Sequence, residues 1–300
     1  MPKGLEGFLD FPCVVTKHPG MDTSAMTITP LSQRIGARID GVDIRELDDA
    51  AFRLIDDALL EYQVVFFRAQ HLDAEQQAGF AERWGPLAVF PISKLRGMNT
   101  TMSVIEDTAE SRPSADNWHT DVTWIATPPR LAVLYADVIP PSGGDTLWSS
   151  LYAAYDQLSP QMASICEGLS VLHHRGETFE SLSSGAFGEK LLADLIATYP
   201  PVVHPLVRTH TITGRKALFL SGGFMDQIVG LHRSESDSLL GYLKTLIDDP
   251  NNQVRWTWQA GDVAVWDEPS TNHRALSDHF PQHRRMRRCT VEGERPFFLG

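Results

Sequence analysis

The chain contains 300 residues, of which 42% are hydrophobic, so it can bury a substantial core in one large domain or two small ones. Its formal net charge of -12 argues against a general nucleic-acid binder or a protein of anionic membrane surfaces, because both need a basic surface. No apolar run approaches the roughly 20 residues that span a bilayer, so we expect neither a membrane nor a nucleic acid as a partner.

The N-terminal region and the cysteines bear on the location of the protein. The first residues lack the apolar segment and the small-residue cleavage site of a signal peptide. Cys13, Cys166 and Cys289 are widely spaced and form no CxxC pair, which argues against a disulfide framework or a zinc knuckle. These features predict a cytoplasmic protein with reduced thiols.

The first part of the chain predicts an extension followed by a mixture of helices and strands. Residues 1–25 show weak periodicity, so we expect an N-terminal extension before a domain over residues 26–300. A helix is predicted from Asp48, because apolar residues recur there at steps of three and four. A short apolar strand at residues 64–67 follows, and a second helix is predicted from Asp73.

The rest of the chain is rich in strand patterns. Apolar runs bounded by Gly, Pro, Asn or Asp predict strands at residues 130–138, 202–209, 216–220, 253–259, 262–266 and 284–291. Helices are predicted near residues 151–169, 189–198 and 235–248. Many strands with a few peripheral helices indicate a mainly β fold with flanking helices, such as an antiparallel sandwich or a jelly roll.

The sharpest local feature is the sequence NWHTD at residues 117–121. On extended backbone, residues two apart point to the same face about 6–7 Å from each other, which brings His119 and Asp121 within reach of one metal ion. His273 follows a predicted strand and is the candidate for a third ligand. Two imidazoles and one carboxylate occupy one face of an octahedral iron and leave three positions for a 2-oxo acid and dioxygen. A His-x-Asp pair alone is equally compatible with an ordinary surface or core histidine.

Two further segments carry groups that suit an anionic ligand. The sequence GGDTLW at residues 143–148 predicts a tight turn before a strand and presents the hydroxyl of Thr146, although an ordinary hairpin has the same pattern. In a strand near the C-terminus, Arg284 and Arg288 share one face, and two guanidiniums that face an interior need an anion such as a carboxylate. The alternatives are a solvated basic edge strand or a nucleic-acid patch.

The histidines outside these segments have weaker signals. His173 lies where a strand is expected to cross the core, and we predict a structural role for it. His204 and His210 bracket another predicted strand, and His210 is the one expected to lie nearer to a site.

Together these segments resemble the taurine/2,4-dichlorophenoxyacetate dioxygenase family of iron(II)- and 2-oxoglutarate-dependent enzymes. The resemblance extends from about Met26 to Phe298. It is carried by the segments NWHTDVT, GGDTLW, VHPLVRTH, VRW and WD, at residues 117–123, 143–148, 203–210, 254–256 and 266–267. The fold that it implies is the double-stranded β-helix, a jelly-roll core flanked by helices.

The resemblance also implies cofactors and residue roles. It implies Fe(II), 2-oxoglutarate and O2 as cofactors, with His119, Asp121 and His273 as the iron ligands. A second pair, Thr146 and Arg284, is implied to hold the distal carboxylate of 2-oxoglutarate. Finally, Arg288 is implied to lie near the metal and to face the anionic head of the substrate.

The substrate residues depart from those of family members that cleave taurine. Where such members have a substrate-contacting histidine, this chain has Phe90, and Ser93 replaces an aromatic hydroxyl. The polar pair expected before NWHTD falls at Ser114 and Ala115. These side chains are too apolar or too short for taurine, so we expect a roomier and more apolar pocket. The candidate wall residues are Phe90, Val122 and Trp124.

These inferences predict a dioxygenase that hydroxylates a small anionic substrate, and cleaves it where the hydroxylated carbon bears a heteroatom. A larger sulfonate, a sulfate ester or an aryl or alkyl carboxylate fits the expected pocket better than taurine. Two other functions use the same three ligands: a zinc hydrolase, and a non-catalytic jelly-roll protein that binds an anionic metabolite. The hydrolase leaves Thr146 and Arg284 without a role. The sequence is compatible with a dimer or a tetramer.

Overall fold

Short strands and helices alternate along most of the chain. The computed structural model describes residues 26–113, 116–175 and 185–300, so the predicted extension at residues 1–25 and the pair at residues 114–115 lie outside the described part. The strands are β1 (Thr27–Pro30), β2 (Ala37–Asp40), β3 (Val64–Phe67), β4 (Met102–Asp107), β5 (Leu131–Val138), β6 (Thr146–Ser150), β7 (Ser170–His173), β8 (Val202–Pro205), β9 (Val207–Thr209), β10 (Lys216–Leu218), β11 (Met225–Ile228), β12 (Gln253–Trp256), β13 (Val263–Asp267), β14 (Thr271–Ala275) and β15 (Arg284–Val291). The helices are α1 (Asp49–Tyr62), α2 (Ala74–Glu82), α3 (Pro91–Leu95), α4 (Leu151–Asp156), α5 (Pro160–Glu167), α6 (Gly185–Thr198) and α7 (Arg233–Ile247).

The strands form one large sheet and several small ones. The large sheet has seven strands in the order β1-β2-β3-β13-β5-β15-β4, and each neighbouring pair is antiparallel except β2 and β3. A three-stranded sheet has the order β12-β6-β14, and another has the order β11-β7-β8. Strands β9 and β10 form a two-stranded ribbon. Most neighbours are distant in sequence, which is typical of a jelly roll rather than of a series of hairpins.

The large sheet and the β12-β6-β14 sheet pack face to face around a layer of aromatic rings. Phe66 of β3 stacks on Trp256 of β12 with ring centroids 4.3 Å apart. The edge of Phe66 also meets Trp148 of β6, and Trp148 in turn contacts Trp266 of β13 at 5.6 Å. Offset and edge-to-face contacts between such large apolar rings stabilise the interface between the two sheets.

The opposite face of the large sheet is covered by helices. Along β3, Val64 and Phe66 face the sandwich interior, whereas Val65 and Phe67 belong to the cluster that packs against α1 and α2. All four residues are fully buried. A strand that is buried on both faces reads as a continuous apolar run, which explains why this segment shows no alternation in the sequence.

The predicted elements are confirmed in most places, with local differences. The helix predicted at residues 151–169 is divided into α4 and α5, because Ser159 caps a new helix through the N–H of Met162 and Pro160 occupies its first position. The strand predicted at residues 202–209 is divided into β8 and β9. Helix α3 and strands β4, β11 and β14 have no counterpart in the prediction, so His273, expected to follow a strand, lies within one. Within residues 26–113, 116–175 and 185–300, no helix combines the length and apolarity that crossing a membrane requires.

Gln77 of α2 offers a test of how the helix is held on the sheet. Its fully buried amide donates hydrogen bonds to the carbonyls of Val133 on β5 and Arg287 on β15. We expect Gln77→Met, which keeps the approximate shape but removes both donors, to lower the free energy of unfolding by about 1–3 kcal/mol in urea denaturation. The exposed Glu75→Met on the same helix is the matched control. Equal stability of the two variants would contradict the prediction.

Candidate active site

The centre of the candidate site is a backbone bridge between two distant segments. The N–H of His119 donates to the carbonyl of His273 at 3.0 Å, and the N–H of His273 donates to the carbonyl of His119 at 2.8 Å. Because His273 lies within β14, this bridge adds the NWHTD segment to the edge of the β12-β6-β14 sheet. The two imidazole rings consequently lie side by side, with centroids 4.1 Å apart.

The carboxylate of Asp121 lies close to both imidazole rings, although its backbone is in a turn and not in the predicted extended conformation. His119 forms an isolated β-bridge, whereas a turn begins at Asp121 and the next residue, Val122, has a φ of 54°. The Oδ1 atom of Asp121 lies 3.7 Å from Nε2 of His119 and 3.9 Å from Nε2 of His273. One ligand atom from each residue lies within 4.8 Å of the others. The expectation that these side chains converge is met, but a turn rather than a strand delivers the carboxylate.

The protonation of the two histidines suits metal binding. The Nδ1 of His119 lies 2.8 Å from the carbonyl of Asn117 and donates to it, which leaves the lone pair of Nε2 directed at Asp121. Burial lowers the pKa of His119 and, together with His119 itself, lowers that of His273 well below its ordinary value. Both shifts favour the neutral imidazole, which is the form that binds a metal. Two imidazole nitrogens and a carboxylate in this arrangement fit a first-row transition metal such as Fe(II).

Asp121 is further held by the side chains of Arg288 and Glu268. Burial alone would raise the pKa of Asp121, but Arg288, His273 and His119 together outweigh burial and lower it. The Nη1 of Arg288 donates to both carboxylate oxygens, at 2.9 and 2.7 Å. The backbone N–H of Asp121 donates to Oε2 of Glu268 at 2.9 Å. Burial and the nearby Asp121 carboxylate raise the pKa of Glu268 well above its ordinary value.

Strand β15 presents its arginines as the alternation predicts. Met286 lies in the aromatic core between the sheets, so Arg284 and Arg288, two positions away on either side, point to that interior. Arg287 faces the helices instead, where it pairs with Asp137 at 2.9 Å. The alternative of a solvated basic strand is therefore wrong for Arg284, which is 3% exposed.

Arg284 and Thr146 enter the same interior from opposite sheets. The Nε of Arg284 donates to the carbonyl of Gly144 at 3.1 Å, two residues before Thr146. Thr146 shares a strand face with the buried Trp148, and its hydroxyl oxygen accepts a hydrogen bond from Trp258. Burial lowers the pKa of Arg284, while Asp107 and Asp145 oppose that effect. A carboxylate ligand suits this buried guanidinium.

The predicted wall residues belong to one apolar cluster that adjoins the group of His119, Asp121 and His273. Val122 and Trp124, which follow Asp121 directly, pack there with Ile92 of α3 and Leu191 of α6. Phe90 is partly buried against the same cluster. The three candidates named from the sequence thus lie together, and helix α6 supplies a side of the wall that the sequence did not indicate. The prediction for Ser114 and Ala115 lies outside the described residues.

A glycine-containing turn that the sequence analysis overlooked supports the NWHTD segment. The hydroxyl of Ser221 accepts from the N–H of Thr120 at 3.2 Å and donates to its carbonyl at 3.0 Å. At Gly222, a Cβ atom would lie 2.1 Å from the carbonyl oxygen of Trp118. The Ser-Gly-Gly sequence at residues 221–223 was the available signal, since glycine is typical of close backbone approach.

Comparisons with known proteins agree with this geometry. Residues 27–290 match the family described as taurine catabolism dioxygenase TauD, TfdA family. The chain is 36% identical over 277 residues to an alkylsulfatase of Acinetobacter baylyi, a match that covers 91% of this chain and 86% of that protein. It is 36% identical over 276 residues to an alpha-ketoglutarate-dependent sulfate ester dioxygenase of Pseudomonas putida, covering 90% and 91% respectively. A crystal structure of a taurine dioxygenase from Burkholderia xenovorans aligns with a TM-score of 0.76 at 33% identity, over 91% of this chain and 92% of that one.

The close approach at Gly222 gives a testable consequence for metal binding. We expect Gly222→Ala to weaken the affinity for Fe(II) by about 10- to 100-fold in anaerobic titration, because the new Cβ displaces the strand that carries His119. Gly223→Ala is the matched control, since its Cβ would meet only the amide of the Asn117 side chain at 3.3 Å. Equal metal affinities for the two variants would count against a supporting role for Gly222.

Proposed function

Because the chain belongs to the TauD, TfdA family of taurine catabolism dioxygenases, we propose that it oxidises a sulfate ester with an apolar alkyl or arylalkyl group. The predicted reaction class is confirmed: the protein is an Fe(II)- and 2-oxoglutarate-dependent dioxygenase that uses O2. The predicted jelly-roll fold is confirmed by the structural relatives. The comparisons support neither a zinc hydrolase nor a non-catalytic binding protein.

We propose that His119, Asp121 and His273 hold the iron. Bound Fe(II), with 2-oxoglutarate and O2, supplies the oxidising chemistry. The neutral imidazoles offer their Nε2 lone pairs, and the Asp121 carboxylate offsets part of the metal charge. Glu268 and Arg288 orient that carboxylate through its backbone N–H and its oxygens.

We propose that Arg284 and Thr146 bind the distal carboxylate of 2-oxoglutarate. Arg284 is a buried cation whose Nη1 lies 4.0 Å from the nearest carboxylate, that of Asp107, so it can accept a second anion. The bond from its Nε to Gly144 orients the guanidinium towards the strand that carries Thr146. An arginine fixed in this way binds a carboxylate with directed, charge-assisted hydrogen bonds.

One observation carries the substrate proposal. Immediately after Asp121, the chain turns through Val122 into the apolar cluster with Trp124 and Phe90, while Arg288 places a guanidinium at the Asp121 carboxylate. An anionic head near Arg288 and an apolar tail against the cluster describe an alkyl or arylalkyl sulfate better than taurine. The names of two curated relatives, an alkylsulfatase and a sulfate ester dioxygenase, each 36% identical to this chain, support the same class.

The proposed reaction cleaves the ester. Hydroxylation of the carbon that bears the sulfate oxygen gives an unstable adduct, which collapses to an aldehyde and hydrogen sulfate. One 2-oxoglutarate and one O2 are consumed, and one succinate and one CO2 are formed. The apolar wall keeps the reacting carbon close to the metal and excludes water from the site.

We also propose that residues 26–300 act as one catalytic domain behind an N-terminal extension at residues 1–25. The family match over residues 27–290 supports this division. A cytoplasmic location is proposed because Cys166 and Cys289 are free and buried, and cell fractionation tests it. Assembly as a dimer or tetramer is a further proposal, which light scattering of the purified chain would contradict by giving the monomer mass.

The substrate proposal is tested by turnover of a panel of alkyl sulfates, alkyl sulfonates, aryloxy acids and taurine. We expect a medium-chain alkyl sulfate to give the highest kcat/KM, with equal amounts of succinate and inorganic sulfate released. Highest turnover with taurine would refute the argument from the apolar wall. Succinate formation without sulfate release would refute ester cleavage but not the reaction class.

Replacing Arg284 and replacing Arg288 should raise the KM values of different substrates. We expect Arg284→Ala to raise the KM for 2-oxoglutarate by about 10- to 100-fold, and Arg288→Ala to raise the KM for the sulfate ester by a similar factor, because each loses a charge-assisted bond. Iron content is measured first, since Arg288 also contacts Asp121. Arg285→Ala, on the opposite face of β15, is the control. Identical KM changes in both variants would contradict the assignment.

A further inference from the structure

Two buried histidines of the β11-β7-β8 sheet and the ring of Phe219, which follows β10, form a cluster next to the turn that follows Asp121. His173 of β7 and His204 of β8 are 0% and 1% exposed. Their ring centroids lie 5.0 Å apart, and Phe219 packs against both, at 5.5 and 5.4 Å. His210 rather than His204 is the histidine that the sequence predicts to approach the site. In the structure His204 contacts the turn that follows Asp121, whereas His210 pairs with Asp267.

His204 holds the turn through two backbone carbonyls. Its Nε2 lies 2.9 Å from the carbonyl oxygen of Thr123 and 3.1 Å from that of Ile125. Both partners are acceptors, so Nε2 must carry the proton and donate to them. The Nδ1 of His204 has no partner among the described residues. His173 adds a contact from its Nδ1 to the hydroxyl of Thr123 at 3.0 Å.

The turn needs such support because it is strained. Val122 has a φ of 54°, a left-handed conformation that is unfavourable for a β-branched residue and costs on the order of 1–3 kcal/mol. The N–H of Ile125 closes the turn on the carbonyl of Val122 at 3.2 Å. Without the bonds from His204, the carbonyls of Thr123 and Ile125 would lose a buried donor, and Val122 could relax to a common conformation.

The metal-binding group is restrained by other contacts. Glu268 accepts from the N–H of Asp121, and Ser221 pairs with Thr120. The bridge between His119 and His273 fixes both imidazoles. The restraint from His204 therefore falls on residues 122–125, which carry the apolar wall, and not on the three residues proposed to bind iron.

We propose that His204 is a positioning residue that holds Val122 and Trp124 in place as the substrate wall, independently of the metal site. This inference rests on the proposed role of that turn in substrate binding. The His204 ring packs against His173 and Phe219, and burial lowers the pKa of both histidines, that of His173 to about 3. Neutral rings keep the Nε2–H of His204 available as a fixed donor.

Two variants of similar polarity and different length test this proposal. In His204→Gln the longer side chain can place an amide N–H near the position of Nε2, whereas in His204→Asn the amide lies near Nδ1. We expect the KM for the prime substrate to rise at least about 10-fold in His204→Asn and in His204→Phe, with kcat changed less than about 3-fold. His204→Gln should stay within about 3-fold of the wild type. The KM for 2-oxoglutarate and the affinity for Fe(II) should be unchanged in all three.

Phe219→Leu is the stability control, because it loosens the same cluster without removing a hydrogen bond to the turn. We expect it to lower the melting temperature and leave the substrate KM unchanged. Equal KM values for the Gln and Asn variants, or parallel losses of substrate and iron affinity, would overturn the proposal. If His204→Phe does not fold, the Gln and Asn pair decides alone.

The prime substrate for these assays is whichever member of the panel the wild type turns over best. Failure of the sulfate ester proposal would therefore appear as a different preferred substrate in the wild type. Failure of the His204 proposal would appear as unchanged KM values for that substrate in the Asn variant. A crystal structure of the Asn variant adds a measurement without turnover, since we expect Val122 to leave the left-handed region.

Discussion

Two backbone hydrogen bonds join His119 to His273, which come from segments more than half the chain apart. Neither residue could present its Nε2 to Asp121 unless the NWHTD segment lay along the edge of β14. That alignment in turn requires the close approach of Gly222 and the pairing of Ser221 with Thr120. The aromatic layer around Trp148 and Trp266 holds β14 on its sheet, so the packing of the sandwich determines the geometry of the proposed metal site.

The sequence was most informative where residue type and spacing express chemistry directly. Arg284 and Arg288 share one strand face as their spacing suggested, because strand alternation is a local property of the backbone, whereas His119 and Asp121 converge through a turn. The contributions of Gly222 and His204 could not be predicted in the same way. Each acts on a carbonyl of a segment that is distant in sequence, and no local pattern indicates which carbonyl that is. Helix α3 and strand β4 escaped prediction because they are short and partly exposed.

The site divides into parts with separate supports. The β12-β6-β14 sheet and Glu268 hold the three residues proposed to bind iron, whereas the β11-β7-β8 sheet holds the turn that begins at Val122. Arg288 is the element common to both, since it contacts Asp121 and faces the interior. Such a division lets the surroundings of the organic substrate change while the chemistry at the metal is retained. Buried polar contacts of this kind specify one arrangement because an unpaired alternative is costly.

Strand β15 also fixes the distance between the two arginines that face the interior. Arg284 and Arg288 are four residues apart on the same face, which corresponds to about 13 Å along an extended chain. Inserting or deleting one residue between them would turn one guanidinium towards the helices, where Arg287 now lies. The distance between Arg284 and Arg288 can therefore change only in steps of two residues, because alternate residues of a strand face opposite sides of the sheet. Adaptation to longer or shorter substrates must then occur in the turn at residues 122–125 and in helices α3 and α6. Insertions there leave the distance between Arg284 and Arg288 unchanged.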